Sequence, residues 1–173
     1  RDLENDLDVW IIQIALAESV AARLRKHGFK CKTVEITVRD NGLYSFSRQI
    51  HLRQPTNITN EIVTAAFQLF KDNYKWEHPI RSLGIRAADL VLDDIPVQLD
   101  LFGNQEKKEK LEKLDRTVDE IRRRFGYFSI QRAFMYQDKI LSKLDAQGSH
   151  TCFCRSRRHN DTDVMLELGM SRA

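Results

Sequence analysis

Cysteine is scarce: three residues in a chain of 173, an odd number. A disulfide framework is therefore excluded as the scaffold, and a reducing cytoplasm is the expected compartment. No apolar run approaches ~18 residues, which excludes a membrane-spanning helix. The opening Arg1-Asp2-Leu3-Glu4-Asn5-Asp6 is acidic and lacks the basic-then-apolar layout of a secretory signal. A strong charge excess is also lacking. The formal net charge of +3 permits a nucleic-acid partner without demanding one. What is present is ordinary: 42% hydrophobic and 31% charged residues, enough for one good core and too apolar for disorder throughout.

The first pattern runs from Asp8 to His27. Trp10, Ile14, Ala17, Ala21 and Leu24 recur at helical steps, Arg23, Arg25 and Lys26 crowd the last turn, and Gly28 supplies a stop. Val34, Ile36 and Val38 then alternate with Thr33, Glu35, Thr37 and Arg39, a strand with one wet face. Asp40-Asn41-Gly42 reads as a turn into a second strand. There Tyr44, Phe46, Ile50 and Leu52 share one parity and Ser45, Ser47, Gln49, His51 and Arg53 the other. Arg48 breaks the apolar parity, which predicts a bulge or an edge position near it. Pro55-Thr56-Asn57 ends that strand. Thr59 is the expected N-cap of a helix over 60–74, stapled by Ile58 and Val63. A third strand spans Ile80 to Leu90, with Leu83, Ile85 and Ala87 inward and Ser82, Gly84 and Arg86 outward.

Asp93-Asp94-Ile95-Pro96 closes this part, and residues 1–92 form the expected folded domain. A linker over 93–104 carries a short apolar island. A charged helix from Gln105 to Phe125 follows, with favourable Glu-to-Lys or Glu-to-Arg pairs four residues apart and a thin stripe of Leu111, Leu114, Val118, Ile121 and Phe125. Another helix is expected over 134–144 within a helical tail reaching 147. From Gly148 the composition loses all period, and 148–173 is expected to be disordered.

The order α-β-β-α-β predicts an α+β fold, a small, mostly antiparallel sheet with two helices on one face and a helical C-terminal tail. The other sheet face is then open and lined by Thr33, Thr37, Arg39, Ser45, Ser47, Gln49, His51, Arg53, Ser82 and Arg86. Hydroxyls, amides and guanidiniums of this kind donate to phosphate oxygens without reading bases. A plain solvated sheet face has the same composition, so periodicity alone does not separate the two.

Two stretches do separate them. Ser47-Arg48-Gln49-Ile50-His51-Leu52-Arg53-Gln54-Pro55-Thr56 resembles the hairpin exit of Y-family translesion DNA polymerases, of the form S-R-x-x-x-L-x-x-P-T. Pro79-Ile80-Arg81-Ser82-Leu83-Gly84-Ile85-Arg86-Ala87-Ala88-Asp89-Leu90 is similar to that family's I-R-x-L/I-G-V-R strand. Both belong to its C-terminal little finger domain. Arg116 to Tyr136, including Ile121-Arg122-Arg123-Arg124-Phe125-Gly126-Tyr127, resembles the tail of DinB/UmuC-like repair polymerases of low-GC Gram-positive bacteria. The resemblance covers Arg1 to Ala146. It implies a domain that grips the backbone of damaged or primer-template DNA during repair, with Ser47, Arg48, His51, Arg81, Ser82 and Arg86 at matching positions. Parity adds Arg39, Gln49 and Arg53. Ile50 and Ser82 stand where relatives often carry basic residues, which implies weaker phosphate binding. The family's little finger opens with a strand before the first helix, and this chain is expected to begin just after it, leaving a sheet edge unpaired. The palm, whose acidic residues hold Mg in such polymerases, is not matched by any stretch here. No catalytic residue, resident cofactor or metal is therefore expected in this chain, and Asp93-Asp94 reads as a solvated loop.

Gln98-Leu99-Asp100-Leu101-Phe102 resembles the pentapeptide by which bacterial polymerases bind the β sliding clamp. The glutamine amide suits a polar sub-pocket, and Leu101 and Phe102 offer apolar surface worth ~1.5–3 kcal/mol each when buried. In the tail, His150, Cys152, Cys154 and His159 are four candidate zinc ligands, but the Cys152-x-Cys154 spacing is tighter than the usual two-to-four-residue gap of structural zinc sites. Arg122-Arg123-Arg124 reads as a solvated helix end, while Trp10 and Trp76 are expected to pack. The competing reading is a stand-alone RNA- or protein-binding module using the same sheet face.

Overall fold

The computed structural model describes residues 2–94, 105–139 and 141–143. The element order is α1 (Asp6–Lys26), β1 (Phe29–Asp40), β2 (Ser45–Thr56), α2 (Thr59–Asn73), β3 (Ile80–Leu92) and α3 (Gln105–Phe125), followed by single 3-10 turns at Tyr127–Ser129, Ala133–Gln137 and Leu141–Lys143. β1 is the middle strand of an antiparallel sheet ordered β2-β1-β3. Val34, Ile36 and Val38 point from it to the core and are fully buried. Alternation then forces Thr37 and Arg39 to the opposite, exposed face. The α+β arrangement expected from the sequence, with α1 and α2 on one sheet face, is the observed one.

Asn5 caps α1 by accepting from the Asp8 amide at 2.8 Å. Gly28 ends it in the left-handed region, φ 69°. The helix is buried on several sides, with Val9, Ile11, Ile12, Ile14, Ala15 and Leu16 all in the core. A helix apolar nearly all round belongs between layers. Here the sheet lies on one side and α2 on another. Trp10 meets Phe67 of α2 edge-on at 4.8 Å and Phe134 of the tail at 6.5 Å.

The hairpin differs from expectation in two places. Arg48 pairs in register with Ile36, so no bulge forms there, and β2 is an edge strand as its parity break allowed. The irregularity lies further on, between the pairs Thr33–His51 and Cys31–Thr56. The strand consequently continues through Pro55, whose missing N–H costs nothing at an irregular edge. At the turn, Leu43 rather than Gly42 takes the left-handed backbone, φ 70°. At Gly42 the approach is tight: a Cβ there would lie 3.3 Å from Asp40 Oδ1.

Leu3 forms an isolated antiparallel bridge to Ile80, with Leu3 N–H donating to the Ile80 carbonyl and Ile80 N–H donating back, both at 2.8 Å. The outer edge of β3 is thus paired at one point, where the sequence reading left it unpaired.

α3 docks on the helical layer through charge rather than through its apolar stripe. Asp115, 6% exposed, accepts from the Thr59 backbone N–H at 2.8 Å and pairs with Arg25 at 3.2 Å. Thr59 is therefore not the N-cap. Ile58 occupies that position without a side-chain bond, and the carboxylate from α3 satisfies the exposed amide at the positive end of α2. Arg25 also grips Asp119 through both Nε, at 2.6 Å, and Nη2, at 3.0 Å. Arg122 is not a solvated helix end: it is 7% exposed, bridges Glu18 at 2.9 Å, donates to the Ile130 carbonyl and stacks 4.6 Å from the Tyr127 ring centroid. Arg132 completes the set on Glu18, at 2.9 Å. The expected helix over 134–144 is instead the pair of 3-10 turns, which seat Met135 and Leu141 in the core.

Two outcomes follow from this packing. Asp115→Ala removes a buried carboxylate and leaves Arg25 and the Thr59 amide short of a partner. It should destabilise the chain by about 3–5 kcal/mol, measured by urea unfolding. Cys31 lies in the core with its thiol donating to the Thr56 carbonyl at 3.4 Å, and burial pushes its pKa from 9.0 up to about 11. The unfolded thiol ionises first, so stability should be intact below about pH 9 and decline as pH rises toward 11. In Cys31→Ala that thiol-linked part of the decline should vanish; an unchanged pH profile would refute the assignment.

Candidate nucleic-acid interface

The strand register assembles the face turned away from the helices row by row. Ser45–Arg39–Ser82, Ser47–Thr37–Gly84, Gln49–Glu35–Arg86 and His51–Thr33–Ala88 are its cross-strand rows. From the Thr33 row to the Arg39 row the strand rises roughly 20 Å at ~3.3 Å per residue, several phosphates of a nucleic-acid strand. Thr37, Arg39, Ser45, Ser47, Gln49, His51 and Arg86 are exposed.

Polar contacts tie the face together laterally. The hydroxyls of Thr37 and Ser47 lie 3.1 Å apart. Arg86 Nη1 sits 3.7 Å from Glu35 Oε2, placing one acid and one base at the centre. Thr33 is covered, 3% exposed, beneath His51 and Asp89.

The remaining expected contacts distribute as follows. Ser82 shares the row of Arg39 but is 6% exposed. Arg81 falls where the register shifts between Arg39 and Asp40, and this irregularity leaves its side chain exposed. Arg53 lies exposed in the irregular stretch of β2. Arg48 shares the row of Ile36 on the helix-side parity, and its guanidinium lies 5.6 Å from the Phe46 ring centroid and donates to the Ser47 carbonyl. The open face therefore gathers Arg39, Ser47, Gln49, His51 and Arg86, with Arg81 and Arg53 at its irregular margins and Arg48 behind.

Gln98, Leu99, Asp100, Leu101 and Phe102 lie outside the described residues, as does the Cys/His-containing tail. The points on either side of the peptide are fixed. Asp93 N–H donates to the Gly28 carbonyl at 2.8 Å, and its carboxylate pairs with Lys30 at 2.8 Å and Arg116 at 3.1 Å. On the far side, Lys108 of α3 donates to Gln54 at 2.7 Å. Asp93 is thus already neutralised by two cations, which does not fit a metal-binding dicarboxylate with Asp94. Among the described residues no three His, Cys, Asp or Glu side chains come together as metal ligands. No described helix is long and apolar enough to cross a membrane.

A helical layer backing a sheet whose other face is a polar, guanidinium-bearing surface defines an α+β domain of the little finger type. The chain belongs to the impB/mucB/samB family: it matches the model of that family's C-terminal domain over residues 1–101. It is similar to DNA polymerase IV of Acetivibrio thermocellus, 42% identical over 83% of this chain and 36% of that protein. It is also similar to DNA polymerase IV 2 of Bacillus subtilis, at 34% identity over 77% of this chain and 32% of the relative. DNA polymerase IV of Pelotomaculum thermopropionicum is 32% identical over 77% of this chain and 32% of that protein. The chain spans about a third of the length of these curated relatives, and the region they share is that of a Y-family polymerase C-terminal domain.

Proposed function

We propose that the open sheet face holds the backbone of primer-template or duplex DNA without regard to sequence, as the DNA-gripping part of a lesion-bypass polymerase. The observation that carries this is the row order itself: hydroxyl, amide and guanidinium groups repeat along about 20 Å of exposed strand, in a chain whose relatives are named DNA polymerases. Hydrogen bonds from such groups position a duplex and leave base identity unread. Nucleotide transfer, with its Mg, belongs to parts of a polymerase outside this chain. Residues 98–102 recruit the β sliding clamp, because the Gln-Leu-Asp-Leu-Phe order presents an amide and two large apolar side chains.

Fluorescence anisotropy of labelled duplex, single-stranded DNA and RNA tests the first part. Duplex binding should weaken steeply with salt, at ~-0.9 in log-log slope per phosphate neutralised, and Arg39→Ala with Arg86→Ala should reduce the slope by up to about two. An affinity indifferent to salt, or a preference for RNA, overturns it in favour of a stand-alone module.

For the clamp, Leu101→Ala with Phe102→Ala should cost at least ~3 kcal/mol, more than a hundredfold in pull-down or titration with purified clamp. DNA affinity and melting temperature should be unchanged in the same variant. Clamp binding that survives the double change would place the recruiting element elsewhere.

A further inference from the structure

His51 is held by a relay that no expectation from the sequence anticipated. Thr33 Oγ1 donates its single proton to Asp89 Oδ2, a carboxylate that can only accept. The same Oγ1 lies 3.0 Å from His51 Nδ1. With its proton committed to Asp89, the hydroxyl can only accept from the ring, so Nδ1 carries hydrogen. In the neutral imidazole the other nitrogen, Nε2, is then a bare lone pair. The His51 side chain is otherwise exposed on the proposed DNA-facing surface. Asp89 reaches Thr33 from a left-handed backbone, φ 50°, inside a β-strand, a conformation with a cost that aspartate tolerates better than most residues.

We infer that His51 contacts a backbone phosphate only as the imidazolium, so that DNA binding by this face takes up a proton. A bare Nε2 repels a phosphate oxygen, whereas a protonated one donates a charge-assisted bond to it. The charged groups that share this part of the sheet are Arg53 on the same strand, Glu35 on β1, and Arg86 and Asp89 on β3; Lys108 of α3 is bound to Gln54, three residues along. Glu35 and Asp89 are negative there and Arg53 and Arg86 positive. A phosphate adds negative charge to the first group. The inference rests on the proposed DNA reading and adds a proton to it.

Duplex affinity should be measured at constant ionic strength from pH 6 to pH 8. Wild type should weaken by roughly tenfold over that span, the direction that proton uptake on binding requires. His51→Gln, whose amide donates at every pH, should bind more weakly than wild type at pH 6 and lose this dependence. Thr33→Val keeps the imidazole but frees it to place its proton on Nε2, so it should retain binding at pH 8 and also show a shallow profile. Nitrogen-15 spectra of the ring should report the Nδ1–H tautomer in neutral wild type. Parallel pH profiles for wild type and His51→Gln, or an Nε2–H tautomer in the free protein, overturn the inference while leaving DNA binding intact. Absence of duplex binding at every pH overturns the DNA reading itself.

Discussion

One buried carboxylate ties the helical layer to the tail. Asp115 sits where the amide end of α2, the guanidinium of Arg25 and that of Arg132 converge, and the Thr59 amide donates its bond to this carboxylate. Burying charge is costly, and a single carboxylate shared by three donors offsets the cost better than isolated pairs. Arg122 and Glu18 extend the same logic across α1. The pocket lined by these side chains is small, about 140 Å³, and its charges already face one another. It is a joint between elements rather than a place for a ligand.

That joint fixes what the sheet can do. α1 and α2 cover one face, and α3 with its following turns adds to their side, so the docking charges of the tail are spent away from the polar face. The face keeps its own, sparser charges. Glu35 and Arg86 pair at its centre, with Arg39 toward one end and Arg53 and His51 toward the other.

How much of this was legible in the sequence varies with the range of the interaction. Period-two alternation in Val34, Ile36 and Val38 identified β1 because burial there depends on parity alone. Gly28 marked the end of α1 because a left-handed residue was required at that point. Pro55 misled about the end of β2, since an edge strand tolerates what a central strand does not. Thr59 misled as a cap, since the partner of its amide comes from Asp115, 56 residues away, and no local signature encodes it. Arg122 follows Asp115 by seven residues and so shares its helix face, but the partners of both, Arg25 and Glu18, lie on α1, some ninety residues or more away. The stripe itself is partly wet, with Leu114 and Phe125 exposed. Of the interface, parity gave the rows correctly, while the shift beside Arg39 and the turning of Asp89 toward Thr33 depend on pairing geometry that one strand cannot reveal alone.

Asp93 is anchored on one side of residues 95–104, and α3 on the other. A chain running out from residue 94 and back to 105 can carry its midpoint no more than about 15–20 Å from its attachment points, even fully stretched. Any partner that seizes that midpoint therefore holds the whole domain at short range, where its effective concentration is of millimolar order.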